Sequence, residues 1–349
     1  MTASWAKYLL NFKQPAGTSR GVLRQKEAYF IRLETDGESG LGECGLLRGL
    51  SYDDRPEYES FLADICTQID SLETAEGLVS ELDDWPSLQA GLEMAILDLK
   101  CSDHLIFPSD FTDGYERQAI NGLIWMGEKE FMMEQIESRI EQGFLVLKIK
   151  IGAIDIAQEL ELLAKIRKRF GPHELQLRVD ANGAFSAKEV PGLLKELDHL
   201  RVHSIEQPIP KGKWKQMAKI CRETSVPIAL DEELIGVIDK ESKIEMLETI
   251  QPKYIILKPS FLGGFKKSEE WISLAEDRGI GWWVTSALES NYGLSAISQW
   301  NYNLYGYHAS GLGTGSLYTN NFESPLHQVR GTIAYDPEKT WDMSALEFK

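Results

Sequence analysis

The feature that most constrains this chain is a rhythm that begins near Ala119. Short apolar runs at 120–125, 145–150, 175–180, 202–206, 227–231, 254–258 and 281–285 alternate with amphipathic stretches. One such stretch carries Ile156, Leu160, Leu163, Ile166 and Phe170 at helical spacing. Another opens on Ser186 with Glu189 three residues on, a capping box. Strands that alternate with helices in this way build a parallel sheet with helices packed outside it. Seven runs and an expected eighth at 304–308 favour a closed barrel over an open sheet.

The segment before the barrel has a different texture. Ala6, Tyr8, Leu10 and Phe12 alternate as a half-buried strand should, and a second run at 28–34 leads through Asp36-Gly37 into a third at 41–44. Helices are expected over about 55–72 and 86–101, the latter with Leu88, Leu92, Ala95, Ile96 and Leu99 on one stripe. With 349 residues the chain exceeds what one core usually holds, so two domains are expected. These are an α+β capping domain over 1–115 and a barrel over 116–316, with a tail at 317–349 that packs back on the cap.

A formal net charge of −17 gives no basic footprint for nucleic acid or an anionic membrane. No apolar run approaches the roughly 18 residues of a membrane span, and 1–15 lacks a signal-peptide core, so a cytoplasmic protein is expected. Cys44, Cys66, Cys101 and Cys221 form neither a zinc-ligand spacing nor a disulfide scaffold. The oligomeric state is left open.

Five consecutive runs end in a charged residue: Lys150, Asp180, Glu206, Asp231 and Lys258, spaced 30, 26, 25 and 27 residues apart. Each gap is one strand-helix unit, so all five are expected at one level of the C-terminal mouth, where barrel enzymes keep their catalytic groups. Buried charges need partners, and three adjacent carboxylates repel one another unless a cation joins them. An all-oxygen set suits a hard ion, Mg²⁺, with Mn²⁺ as a substitute. Lys148 and Lys150 lie two apart on one strand and face the same way, and two close ammoniums should depress the pKa of one of them. A neutral lysine opposite Lys258, with a cation between, suits removal of a proton α to a carboxylate from a small-molecule carboxylate substrate.

The segments Lys148-Ile149-Lys150, Asp180-Ala181-Asn182, Ile205-Glu206-Gln207-Pro208, Asp231-Glu232 and Leu257-Lys258-Pro259 resemble the motifs of the enolase superfamily's muconate-lactonising branch. The resemblance covers nearly the whole chain. It implies a modified (β/α)₇β TIM-type barrel under an N-terminal α+β cap, and a lysine base with Mg²⁺. Within the branch, three local features are similar to those of o-succinylbenzoate synthases of the Bacteroides type. These are Gly17 to Gly21 as an N-terminal loop closing over the substrate, Ser286 to Ser290 after strand seven, and Gly311 to Tyr318 at strand eight. That likeness implies loss of water from a hydroxylated succinyl-cyclohexadiene carboxylate, giving an aromatic ring in menaquinone biosynthesis.

By the same resemblance Lys150 is the base and returns its proton to the departing hydroxyl, while Lys258 stays protonated beside the enediolate. Asp180, Glu206 and Asp231 hold the metal, with Asn182 and Glu232 behind them; a surface role for Glu232 stays open. Lys148 touches a substrate oxygen or tunes Lys150. Arg20 meets the succinyl carboxylate or is an ordinary loop cation. Ser286 and the backbone at Gly311 and Gly313 offer further contacts to that tail, and Trp125 offers a pocket wall. Glu289 is expected to cap a helix start, and His308 is the one histidine expected near the mouth.

Three rival activities remain. Dipeptide epimerisation asks for acidic residues where Gly311 and Gly313 stand. N-succinylamino-acid racemisation uses the same lysines and metal. A Schiff-base aldolase would use Lys150 or Lys258 but leaves the three acids unexplained.

Overall fold

The computed structural model describes residues 1–18, 21–152, 154–304, 306 and 308–349. Strands β1 (Thr2–Thr18), β2 (Gly21–Glu34) and β3 (Ser39–Cys44) form an antiparallel sheet in that order. Both faces of this sheet are covered. Ala28 and Phe30 point into the core shared with the barrel, whereas Tyr29, Ile31 and Leu33 point into a separate core with the cap helices. That is why the run in β2 is almost continuously apolar.

The helix expected over 55–72 is α1 (Tyr58–Gln68), and a second, unexpected helix, α2 (Leu72–Glu81), follows it. Ser71 breaks the run by accepting from Thr74 N with its hydroxyl, which caps α2. Helix α3 (Pro86–Leu99) is buried on nearly every side, not along one stripe, because it lies between the cap sheet and the barrel. Strand β3 runs against it backbone to backbone: a Cβ at Gly42 would lie 1.9 Å from Gly91 O, and one at Gly40 would lie 2.2 Å from Ala95 O.

Asp53, fully buried ahead of α1, accepts from Ser87 N (2.8 Å) and Ser87 Oγ (2.6 Å) at the start of α3. Burial pushes its carboxyl up to about 6 despite those bonds. A pKa raised on folding favours the protonated form, so this contribution is complete below about pH 4 and is lost as the pH climbs through about 6. Ionised Asp53 therefore costs about 3 kcal/mol near pH 7. Asp53→Asn should flatten that part of the stability profile, which urea unfolding at pH 4.5 and 7.5 will read; identical pH slopes in parent and variant would refute it.

After a short strand β4 (Gln118–Ala119), strands and helices alternate: β5 (Gly122–Ile124), α4 (Lys129–Glu141), β6 (Val146–Lys150), α5 (Ile156–Arg169), β7 (Gln176–Asp180), α6 (Val190–His199), β8 (Ser204–Glu206), α7 (Trp214–Glu223), β9 (Ile228–Leu230), α8 (Lys240–Ile250), β10 (Tyr254–Leu257), α9 (Pro259–Leu262), α10 (Phe265–Glu276), β11 (Gly281–Val284) and α11 (Asn291–Asn303). The seven strands β5 to β11 are all parallel neighbours in chain order. The eighth stave lies beyond the expected start at Leu304, which still ends α11 in helical conformation. It is the pair Ser310–Gly311, bridged to Ile120 on one side and Thr285 on the other. Gly311 N donates to Val284 O (2.8 Å) and Asn121 N to Ser310 O (2.8 Å), which closes the α/β barrel. A Cβ at Gly311 would lie 2.7 Å from Thr285 Cβ, so this stave needs glycine for the closure itself.

The tail divides its contacts. Tyr318 bridges Phe12, Asn320 Nδ2 donates to Leu9 O (2.7 Å) and Lys349 N donates to Trp5 O (2.9 Å), so parts of it cover the free edge of β1. Between them, β12 (Leu326–Val329) and β13 (Thr332–Tyr335) form a hairpin that pairs with β4 beneath the barrel. No helix among the described residues is long and apolar enough to cross a membrane.

Candidate active site

The mouth of the barrel opens into a cavity of about 390 Å³. Lys148, Lys150, Asp180, Asn182 and Lys258 line it, with Ser286, Gly311 and Gly313 on the far wall. Lys150, Asp180 and Glu206 are direct register partners across β6, β7 and β8. Beyond them the row is not level. Glu206 pairs with Ala229, two residues before Asp231, and Ala229 pairs with Tyr254, so Lys258 stands two residues further up again. Equal spacing in sequence thus becomes a stepped row, as the stagger of tilted barrel strands requires. Lys150 ends β6 and Lys258 follows β10, four staves apart in a ring of eight, which puts them on opposite sides of the cavity.

Asp180, Glu206 and Asp231 are each at most 3% exposed. Lys148 Nζ lies 3.0 Å from Asp180 Oδ2 and 2.7 Å from Glu206 Oε1. Lys150 Nζ donates to Asp180 Oδ2 (3.0 Å) and Asn182 Oδ1 (2.7 Å), and Asn182 Nδ2 donates to Glu232 Oε1 (2.9 Å). Lys258 donates to Asp231 Oδ2. Asn182 is thus the link between the Lys150 amine and Glu232, which is buried and so not a surface residue. The backbone of Asn182 and of Gln207 is left-handed (φ 44° and 38°), turning the chain sharply just after the first two acids.

Lys148 is not an amine held low: burial pulls its ammonium down, but Asp180, Glu206 and Asp231 outweigh burial and hold it well above its ordinary value. Lysine crowding loses to the nearer carboxylates. Burial also opposes the charge on Asp180, yet Lys148 and Lys150 hold that carboxyl below the usual range. Asp231 is likewise held down by Lys258 and Lys148 against burial. Glu206 goes the other way, pushed well up by burial and by Asp180, with Lys148 only partly offsetting them.

Among the described residues no three acidic, histidine or cysteine side chains already form a metal cage. The ammonium of Lys148 spans Asp180 and Glu206, and that of Lys258 sits on Asp231. The donor chemistry still fits a hard dication: three buried carboxylates from neighbouring staves, whose all-oxygen donors suit such an ion.

Of the remaining expected residues, Arg20 lies outside the described residues. Trp125 lines the cavity, with Lys150 Nζ 5.7 Å from its ring centroid. Ser286 Oγ is engaged with Thr314 Oγ1 (2.7 Å). His308 is not at the mouth; it packs edge-on to Tyr254, the first residue of β10, at the opposite end of the barrel. Glu289 does not cap α11. It accepts from Ala287 N (2.7 Å) and Ser260 Oγ (2.6 Å), while Ser290 is the cap. Sequence reasoning missed the cap's share of the wall, Leu47 to Leu50 and Val22-Leu23. Arg48 is spent within the cap, on Glu27 (2.7 Å) and Asp54 (2.8 Å).

A closed α/β barrel under an α+β cap, with acids and opposed lysines at its mouth, defines an enzyme of the proton-abstracting barrel class. Residues 132–337 match the family described as "Enolase C-terminal domain-like". The chain belongs to the enolase superfamily. It is 47% identical over 361 aligned residues to an o-succinylbenzoate synthase of Desulfotalea psychrophila, covering 93% of this chain and 96% of that protein. The crystal structure of MenC from the same organism superposes with a TM-score of 0.86 at 41% identity, covering 96% of this chain and 99% of the other. Similarity to the N-succinylamino acid racemase of Thermus thermophilus is weaker, 32% over 289 residues, covering 79% of this chain and 75% of the racemase.

Proposed function

We propose that this chain is an o-succinylbenzoate synthase, a carbon–oxygen lyase that works in the cytoplasm. Its substrate would be 2-succinyl-6-hydroxy-2,4-cyclohexadiene-1-carboxylate, and syn loss of water would give 2-succinylbenzoate, a step of menaquinone biosynthesis. The observation that carries this reading is the opposition of Lys150 and Lys258 across a cavity lined by Asp180, with Glu206 and Asp231 buried on the neighbouring staves, in a chain this similar to such a synthase.

Lys150 takes the proton α to the ring carboxylate and returns it to the hydroxyl that leaves from the same face. Asn182 and Asp180 hold its Nζ in place for that transfer. Lys258, held above its ordinary value by Asp231 and Glu206 against the pull of burial, remains an ammonium and stabilises the negative charge that develops on the substrate. A Schiff-base lysine needs the opposite shift, which weighs against Lys258 as an aldolase's imine-forming lysine. Asp180, Glu206 and Asp231 would hold Mg²⁺, the ion used across the superfamily, and it would add charge stabilisation at the substrate carboxylate. The apolar wall built by Leu47, Leu50 and Phe261 excludes water from the ring.

The test is a spectroscopic assay of diene-to-aromatic conversion with Mg²⁺ and with EDTA. Mg²⁺-dependent conversion is expected. Absence of conversion, together with wash-in of solvent deuterium into both enantiomers of an N-succinylamino acid, would replace the synthase reading with racemisation.

A further inference from the structure

Behind the wall formed by Ser286, Ala287 and Leu288 lies a charged cluster that the chemistry above does not use. Glu43, in cap strand β3, is 0% exposed, and so is Glu289 in the loop after β11. Glu43 accepts from Ser290 N (2.9 Å), Ser290 Oγ (2.5 Å) and Gly293 N (3.0 Å), which seats a cap-domain carboxylate on the N-terminus of the barrel helix α11. Lys26 of β2 is buried beside it, its Nζ 3.8 Å from Glu43 Oε1. The cluster thus ties the cap to the loop that brings Ser286, Ala287 and Leu288 to the far wall of the cavity.

That loop is strained and pinned. Leu288 has a left-handed backbone (φ 64°), which a branched side chain adopts only when its surroundings enforce it. Its carbonyl accepts from Tyr318 OH (2.7 Å), and Glu289 is held by Ser260 Oγ (2.6 Å). A buried carboxylate with three donors is expensive to leave unmatched. The bonds to Ser290 and Gly293 therefore fix where the loop ends and, through the short span back to Ser286, where the wall stands.

We propose that Glu43, with Lys26 as its counter-charge, is a positioning residue that holds the Ser286–Leu288 wall in its substrate-binding shape from the other domain. It touches neither the acids nor the lysines of the mouth, so its influence falls on substrate binding and not on metal binding or proton transfer. The kinetic part of this rests on the synthase reading above; the structural part does not.

Glu43→Gln puts an amide NH₂ against one of the donors at the start of α11; Ser290→Ala, which removes both the Oγ donor to Glu43 and the cap that accepts from Tyr292 N, serves if the first variant does not fold. With the full chain and Mg²⁺, KM for the diene should rise about tenfold or more in Glu43→Gln while kcat stays within about threefold, the pattern of lost uniform binding. Glu43→Asp, which keeps the charge, should recover part of the affinity. Mg²⁺ affinity by calorimetry should stay unchanged, and amide exchange by mass spectrometry should quicken over 286–294. Two results would each overturn the proposal: unchanged KM and unchanged exchange in Glu43→Gln and Ser290→Ala, or a loss of Mg²⁺ affinity as large as the rise in KM. If the parent does not convert the diene, the synthase reading fails, and the exchange measurement still decides the proposal.

Discussion

Lys150→Ala should lower turnover of the diene by at least about 10³-fold while leaving Mg²⁺ affinity within a few-fold of the parent. A positioned general base supplies about 10² to 10⁴ of rate, and here the same amine also returns the proton to the leaving hydroxyl. The amine reaches Asp180 at 3.0 Å and Asn182 at 2.7 Å, so its removal frees an oxygen of the acid trio and takes nothing from it. Steady-state kinetics paired with calorimetry separates the two effects. Substantial remaining turnover would remove Lys150 from the base role, and a parallel collapse of Mg²⁺ binding would make it a structural partner of Asp180 instead.

Asp231→Asn should weaken Mg²⁺ binding more than the roughly 10–100-fold that losing a residue behind a metal ligand costs. The substitution keeps the shape but removes one of three buried negative charges, and it leaves the Lys258 ammonium without its carboxylate. Burial of an ammonium without a charged partner is itself unfavourable, so a fall in stability is expected beside the fall in affinity. Titration of Mg²⁺ into the variant reads the first, and its thermal midpoint the second. An unchanged Mg²⁺ affinity would take Asp231 out of the metal site.

What the sequence revealed of this site, and what it hid, follows from the range of the interactions involved. The charged ends of β6, β7 and β8 were legible because strand-helix units repeat at nearly constant length, so a spacing of 30 and then 26 residues marks neighbouring staves. The step in the row at Asp231 and Lys258 was not, since register comes from barrel closure and not from spacing. Periodicity put the closing stave at 304–308 for a related reason, and only the family resemblance set Gly311 at strand eight. Ser310 and Gly311 carry no apolar run, and only their bridges to Ile120 and Thr285 make them part of the sheet.

His308 was misplaced with it, since the segment before Ser310 returns at the bottom of the barrel. Like-charge spacing is visible along a strand, whereas the carboxylates that hold the Lys148 ammonium up arrive from three other strands. The seating of Glu43 on α11 joins residues 247 apart in the chain, beyond the reach of any local pattern.

The measurement that bears most directly on the central claim is an anomalous difference map from crystals soaked in Mn²⁺, collected with the product bound. One strong peak is expected within about 2.2 Å of oxygens from Asp180, Glu206 and Asp231, with the Lys150 and Lys258 amines reaching the ligand from opposite sides. A peak bound elsewhere, or both amines approaching from one flank of the ligand, would contradict it.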